Sequence, residues 1–249
     1  MSGHSKWSTI KRQKAVNDNA RGKVFSKHSR AIAIAVKTGG GADPATNYKL
    51  RVAIDAARTD NMPKDTIERA VNKAGGEGVK LEEVTYEGFI AGGVNVIIEA
   101  TTDNRNRTAQ EIKFALERAG GSLGGPGSVA FNFETKGFIL LNQAAATDDK
   151  MLEIIDMGVD EVEKGEDGVE VFVHPAELYE KKQELEGRGF TVTRAEIVKR
   201  PKMFADIQTQ ALASRVVAAL EALEDIDDVL KVFDNANISE ELLSKLDDV

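Results

Sequence analysis

Apolar positions in the first third of the chain recur at three- and four-residue intervals, the signature of amphipathic helices. Phe25, Ser29, Ile32 and Val36 share one stripe of the segment Ala20 to Lys37, which Gly39 to Gly41 bring to a stop. Asp43 and Pro44 offer an N-cap and a first-turn proline for a second helix, whose stripe runs through Leu50, Ile54 and Ala57 towards Asn61. Pro63 opens a third, with Ile67, Ala70, Val71 and Ala74 ahead of Gly75 and Gly76. From Val84 the interval shortens to that of strands: YEGFIA, a Gly92-Gly93 turn, then Val94 to Thr101, nearly continuous in apolar and β-branched residues. A helix follows, capped by Asp103 or Asn104, with Ala109, Ile112, Leu116 and Ala119 inward. Ser128 to Asn142 reads as two strands around Thr135 to Gly137, with Val129, Phe131 and Phe133 on one face.

The next elements repeat a recognisable order. Strand Phe138 to Leu141, helix Asp148 to Met157, strands Val159 to Glu163 and Val169 to His174, helix Pro175 to Gly187 and strand Phe190 to Val198 make a βαββαβ series, a complete ferredoxin-like unit. Incomplete pieces flank it: strands with a single helix before, and after it helix Asp206 to Leu223 with strand Val229 to Phe233. Each flank lacks what the other has, so the economical arrangement is one split domain with the complete unit inserted through hinges at Lys136 and Pro201. The expected fold class is therefore α+β: an N-terminal basic three-helix domain followed by two ferredoxin-like α/β sandwich domains, one inserted into the other. In residues, this means a mobile basic arm over 1–19, a helical basic domain over 20–78, a split domain over 79–135 plus 201–249, and an inserted domain over 136–200. The tail after Asn237 is short and acidic and is expected to be helical.

Charge divides the chain differently from hydropathy. The formal net charge is −8, yet residues 1–75 hold 15 Lys and Arg against 6 Asp and Glu, a balance of +9, while the rest holds 18 against 35, or −17. Lys6, Lys11, Arg12, Lys14, Arg21, Lys23, Lys27, Arg30 and Lys37 face only Asp18 within their own segment. Bases this dense lack local partners and set up a field that seeks phosphate, so these nine are the candidate nucleic-acid contacts. Up to Asn19 the segment is rich in Ser, Asn and Gln and has no apolar stripe, which suits a mobile arm. Neither loop lengths nor base-reading side chains single out a helix-turn-helix. Arg105 and Arg107 stand in the first turn of a helix, where the dipole disfavours cations; they are a second candidate contact to phosphate, or partners of an acidic neighbour. The acidic body would turn away from nucleic acid and suits basic proteins.

Other chemistry is thinly represented. With no Cys there is no disulfide, thiolate zinc site or cysteine nucleophile, and His4, His28 and His174 lie in three separate segments without metal-ligand spacing. Gly120 to Gly127 lacks the Gly-Lys-Ser/Thr ending of a phosphate-binding loop. Lys136-Gly137-Phe138 begins like an RNA-recognition signature, but Ile139, Leu140 and Leu141 do not supply its later aromatics, and core packing is the simpler role for this stretch. Acid pairs such as Asp148-Asp149 are unavoidable at 30% charged residues and do not indicate acid–base catalysis. No enzyme, metal or cofactor is expected. No apolar run approaches the ~20 residues of a membrane span and the N-terminus has no signal-peptide core, so a cytoplasmic protein without membrane partners is expected.

Several longer stretches carry a family resemblance. GHSKW at Gly3 to Trp7, followed by the spaced bases, Asp18, Arg21, Gly22, Phe25 and Lys27, resembles the opening of the YebC family, also known as the PmpR-type regulators. NMPKDTIERAV at Asn61 to Val71, YEGFIAGGVNVIIEATTDNRNRTAQEIK at Tyr86 to Lys113 and GSVAFNF at Gly127 to Phe133 extend the similarity over nearly the whole chain. The resemblance implies a DNA-binding transcriptional regulator. Mitochondrial relatives and some bacterial ones imply an alternative, a ribosome-associated translation factor (a translational activator) that binds ribosomal RNA or tRNA.

Overall fold

The computed structural model describes residues 18–74, 81–165 and 167–247. Its first three helices are α1 (Asp18–Thr38), α2 (Tyr48–Thr59) and α3 (Lys64–Ala74). The expected stripes meet in one core, where Ile32 and Val36 of α1 pack with Leu50, Ile54, Met62 and Ile67, and Phe25 covers the edge. The start of α2 differs from expectation. Asp43 does not cap it but folds its own turn, its side chain accepting from the Ala45 amide at 2.9 Å and its carbonyl from the Asn47 amide at 2.9 Å. The cap is Asn47, fully buried, which accepts from the Leu50 amide at 3.0 Å and donates to the carbonyls of Ala35 at 2.8 Å and Gly41 at 2.7 Å. One side chain thus satisfies groups at the end of α1 and the start of α2, and a Cβ at Gly39 would lie 2.0 Å from its oxygen.

Strands β1 (Glu82–Ile90) and β2 (Val94–Thr102) pair antiparallel through a turn in which Gly92 and Gly93 have φ of 86° and 77°. Two left-handed residues in succession match the twist of a tight hairpin, which is why glycine stands at both. Helix α4 (Arg105–Arg118) is capped by Asn104, and β3 (Ser122–Leu123) returns along β1. The glycine-rich loop beyond β3 closes on Glu87, whose carboxylate accepts the amides of Gly127 at 2.6 Å, Val129 at 2.7 Å and Ala130 at 2.8 Å. Burial would raise this carboxyl, but the three amides outweigh it and hold it below the usual range. The same contacts explain a second departure from expectation. Residues 130–132 form a tight 3-10 turn, so Val129 and Phe133 are buried while Phe131 is 62% exposed, and the three do not share a strand face.

A single strand, β4 (Phe133–Leu141), then runs through Gly137 where a turn was expected. After it come α5 (Asp148–Asp156), β5 (Glu161–Lys164), β6 (Val169–Val173), α6 (Leu178–Gly187) and β7 (Val192–Pro201). The sheet order is β5-β6-β4-β7, with both β4 and β5 antiparallel to β6. That order is the one a βαββαβ chain adopts in the ferredoxin-like arrangement. Its core gathers Ile139, Leu141, Val171, Ile154, Leu185 and Phe190.

The remaining elements are β8 (Ala205–Ile207), α7 (Gln210–Glu224), β9 (Val229–Asp234), β10 (Ala236–Ile238) and α8 (Glu240–Asp247). Strand β9 joins β2 antiparallel, giving a sheet ordered β3-β1-β2-β9, while β8 and β10 form a separate parallel pair. Residues 134–200 make one compact unit, and the flanks on either side together make the other. Among the described residues, no helix is long and apolar enough to cross a membrane, and no three His, Asp or Glu gather as a metal site.

Candidate nucleic-acid interface

Helix α1 brings Lys23, Lys27 and Arg30 onto one face, because residues four and seven apart repeat every turn or two. That face meets the acidic corner where α7 ends and β9 begins, with the sequence EDIDD at Glu224 to Asp228. The Lys23 ammonium lies 3.1 Å from Asp225, Lys27 donates to the Glu224 carbonyl, and the Arg30 guanidinium lies 2.6 Å from Oδ1 of Asp228. The pairs differ in exposure. Lys23 and Asp225 are open, with side chains 51% and 70% exposed, whereas Asp228 is only 5% exposed.

Asp228 is the centre of the cluster. Its second oxygen accepts from Arg107 at 2.6 Å, Thr108 at 2.7 Å and Thr102 at 3.1 Å, and its carbonyl accepts the Thr101 amide at 2.8 Å. Burial would push this carboxyl up, but the donors, Arg107 foremost and then Thr108, Arg30 and Thr102, hold it below the usual carboxylate range. Asp228, with Asp103 at 2.9 Å, in turn holds the Arg107 guanidinium more firmly protonated. Arg105 reaches Glu82 at 2.7 Å. Both first-turn arginines of α4 are therefore engaged by carboxylates, the second of the two roles their position suggested.

The other candidates are placed unevenly. Lys6, Lys11, Arg12 and Lys14 lie outside the described residues, as does the arm expected over residues 1–19 apart from its last two positions. Arg21 falls in the first turn of α1, and Lys37 is exposed in its last turn, where a cation complements the helix dipole. Five further exposed bases, Lys49, Arg58, Lys64, Arg69 and Lys73, stand on α2 and α3. Composition counts them, but their spacing along the sequence has no density to draw attention. Several are answered locally: Arg58 by Asp55 at 3.3 Å, Lys64 by Glu68 at 3.7 Å, and Lys49 by the Thr38 hydroxyl at 3.3 Å. His28 bridges α1 to Asp60, just past α2, at 2.7 Å.

Comparison with known proteins covers nearly the whole chain. Residues 5–77 match the family model described as the TACO1/YebC protein N-terminal domain, and residues 81–236 that of the TACO1/YebC second and third domain. A "probable transcriptional regulatory protein" of Dictyoglomus turgidum is 44% identical over 250 residues, covering 99% of this chain and 100% of the relative. One of the same description from Aquifex aeolicus is 43% identical over 249 residues, again covering 99% and 100%. The crystal structure of a conserved hypothetical protein from Aquifex aeolicus superposes with a TM-score of 0.83 at 41% identity, covering 91% of this chain and 94% of that one.

Proposed function

The chain belongs to the TACO1/YebC family, and from that premise we propose that it is a non-enzymatic regulator of transcription that binds DNA through its basic N-terminal region. The observation that carries this reading is the charge split: +9 over residues 1–75 against −17 over the remainder. A chain so divided attracts a polyanion through its basic segment, while its acidic remainder repels it. The descriptions of its relatives, probable transcriptional regulatory proteins at 44% and 43% identity over their full length, point the same way. The bases expected to touch phosphate are Lys6, Lys11, Arg12, Lys14 and Arg21 together with the α1 and α2–α3 lysines and arginines. Phosphate contacts of this kind supply affinity and register, while sequence is read separately at base edges.

The test is a salt titration of duplex binding. Each neutralised phosphate contributes a log–log slope of about −0.9, so Lys11, Arg12 and Lys14 changed together to Glu should lower the slope by roughly 2 to 3 units. Thermal unfolding should stay unchanged. A cognate promoter should be held at least ~10³ times more tightly than random duplex at physiological salt. Unaltered binding by the charge-reversed triple variant would overturn the assignment of the interface. A specificity ratio near one, with co-sedimentation on ribosomes, would move the target from DNA to ribosomal RNA.

A further inference from the structure

Three of the bases assigned to the interface are already occupied by the chain itself. Lys23, Lys27 and Arg30 all face Glu224 to Asp228, a corner with four carboxylates in five residues placed at the C-terminal, electronegative end of α7. We propose that this corner is an internal competitor for nucleic acid: it covers a phosphate-binding face on α1, and a nucleic-acid backbone displaces it. The inference rests on the proposed function and concerns how that same interface is regulated.

The bonding pattern lets the contact open without leaving an orphan behind. Arg30 engages Oδ1 of Asp228, whereas Arg107, Thr108 and Thr102 engage Oδ2, so withdrawing Arg30 leaves the buried carboxylate with a guanidinium and two hydroxyls. Oδ1 then faces the side α1 has vacated, where water replaces the lost donor. Lys23 with Asp225 is an exposed pair that exchanges readily for another anion, and Lys27 donates to the Glu224 carbonyl at the end of α7. The Lys23 and Arg30 contacts on the α1 side can therefore open, while Arg107, Thr108 and Thr102 keep Asp228 in place from the α4 side.

The experiment uses the full chain and a mixed-sequence 30-base-pair duplex at ~0.15 M salt. Asp225→Asn should bind about threefold more tightly than the native protein, and Asp225→Asn with Asp228→Asn at least tenfold. Asp148→Asn with Asp149→Asn changes net charge equally but lies on α5, away from the corner in sequence, and should alter affinity by less than about twofold. Because the protein has no cysteine, Lys23→Cys with Asp225→Cys can be joined uniquely by a bismaleimide containing a reducible disulfide. The joined form should bind at least tenfold more weakly than the same protein after reduction. Should Asp228→Asn destabilise the fold, Asp225→Asn and the joined form carry the test without it.

Equal tightening in the α5 control and the corner variants would overturn the competitor, as would equal binding before and after reduction, while duplex binding by every form would leave the proposed function standing. Absence of duplex binding in every form, including the reduced and Asp225→Asn proteins, would remove the proposed function and this inference together.

Discussion

Two arginine–carboxylate clusters, one in each compact unit, use the same groups in opposite proportions. At Asp228 a single carboxylate receives two guanidiniums and two hydroxyls, and every oxygen has a donor. At Arg200 a single guanidinium, 4.1 Å above the Phe172 ring, serves two carboxylates, Glu161 at 2.8 Å and Glu163 at 2.7 Å, and Glu163 Oε2 has no donor. Where two guanidiniums and two hydroxyls converge on one buried carboxylate the acid is held ionised, and Asp228 sits below its usual range. With acids in excess the pair splits. Arg200 holds Glu161 down at about 2, while burial and then the hydrogen bond with Glu161 push Glu163 up, since a proton on Glu163 supplies the donor the cluster lacks. The proportion of charges, more than the residue types, decides which cluster is static and which titrates.

The sharpest way to break this contrast is to delete the shared acid. Asp228→Ala leaves the buried Thr102 and Thr108 hydroxyls without their carboxylate acceptor and Arg30 without its carboxylate, while Arg107 keeps Asp103, and should cost about 3 kcal/mol in urea unfolding. A loss below about 1 kcal/mol would mean the cluster closes over water and is not the anchor it appears in its bonding. Next in size is Arg200→Met, which keeps apolar cover over Phe172 and removes only the cation. A loss of about 2 kcal/mol is expected, less than at Asp228 because the Glu161 side chain is 43% exposed and rehydrates. The same variant should return the Glu161 carboxyl towards the ordinary carboxylate range, measurable by carbon-detected NMR titration.

Glu163→Gln sharpens the comparison through pH. A raised native pKa means that the Glu163 contribution is full below its unfolded value near 4.5 and is lost as pH rises through the native one. Lowered native pKa values at Glu161 and Asp228 act with the opposite sign: their stabilisation is present above the unfolded pKa and disappears as pH falls through the native one. Glu163→Gln should therefore gain on the native protein over the interval in which pH rises above about 4.5, by less than about 1 kcal/mol after solvent screening. A difference that is flat over that interval would show that Glu163 is not the titrating partner. The smallest effect belongs to Asp225→Asn, whose exposed pair with Lys23 should shift stability by no more than about 0.5 kcal/mol in the same unfolding assay. A larger loss would mean that Asp225 belongs to the fixed side of the corner.

The family, the α+β class, the three basic helices and the βαββαβ order were all legible in the sequence, because each depends on residues close in the chain. Apolar residues one turn apart make a helix stripe, paired glycines make a hairpin turn, and alternating β-branched runs make strands, wherever the segment finally packs. The errors share one origin. Asp43 and Pro44 have the local chemistry of a helix start, but Asn47 captures that role by reaching carbonyls at the end of another helix. Val129, Phe131 and Phe133 have the alternation of a strand, but Glu87, some forty residues earlier, draws the backbone amides into a turn. Local pattern proposes a conformation, and a buried polar group elsewhere in the chain can outbid it because leaving that group unsatisfied is more unfavourable than a propensity of a few tenths of a kcal/mol.

By itself, then, the sequence determined where positive and negative charge accumulate along the chain; the tertiary structure alone decided which of those charges are committed. Nothing in the spacing of Lys23, Lys27 and Arg30 distinguishes them from Lys37. Their partners arrive from about 200 residues away, Arg30 meeting Asp228 across a separation of 198 and Lys27 the Glu224 carbonyl across 197. Charge composition is a sum that survives any rearrangement of the chain, whereas an ion pair exists only at a few ångströms, a distance set by how α1, α4, α7 and β9 pack.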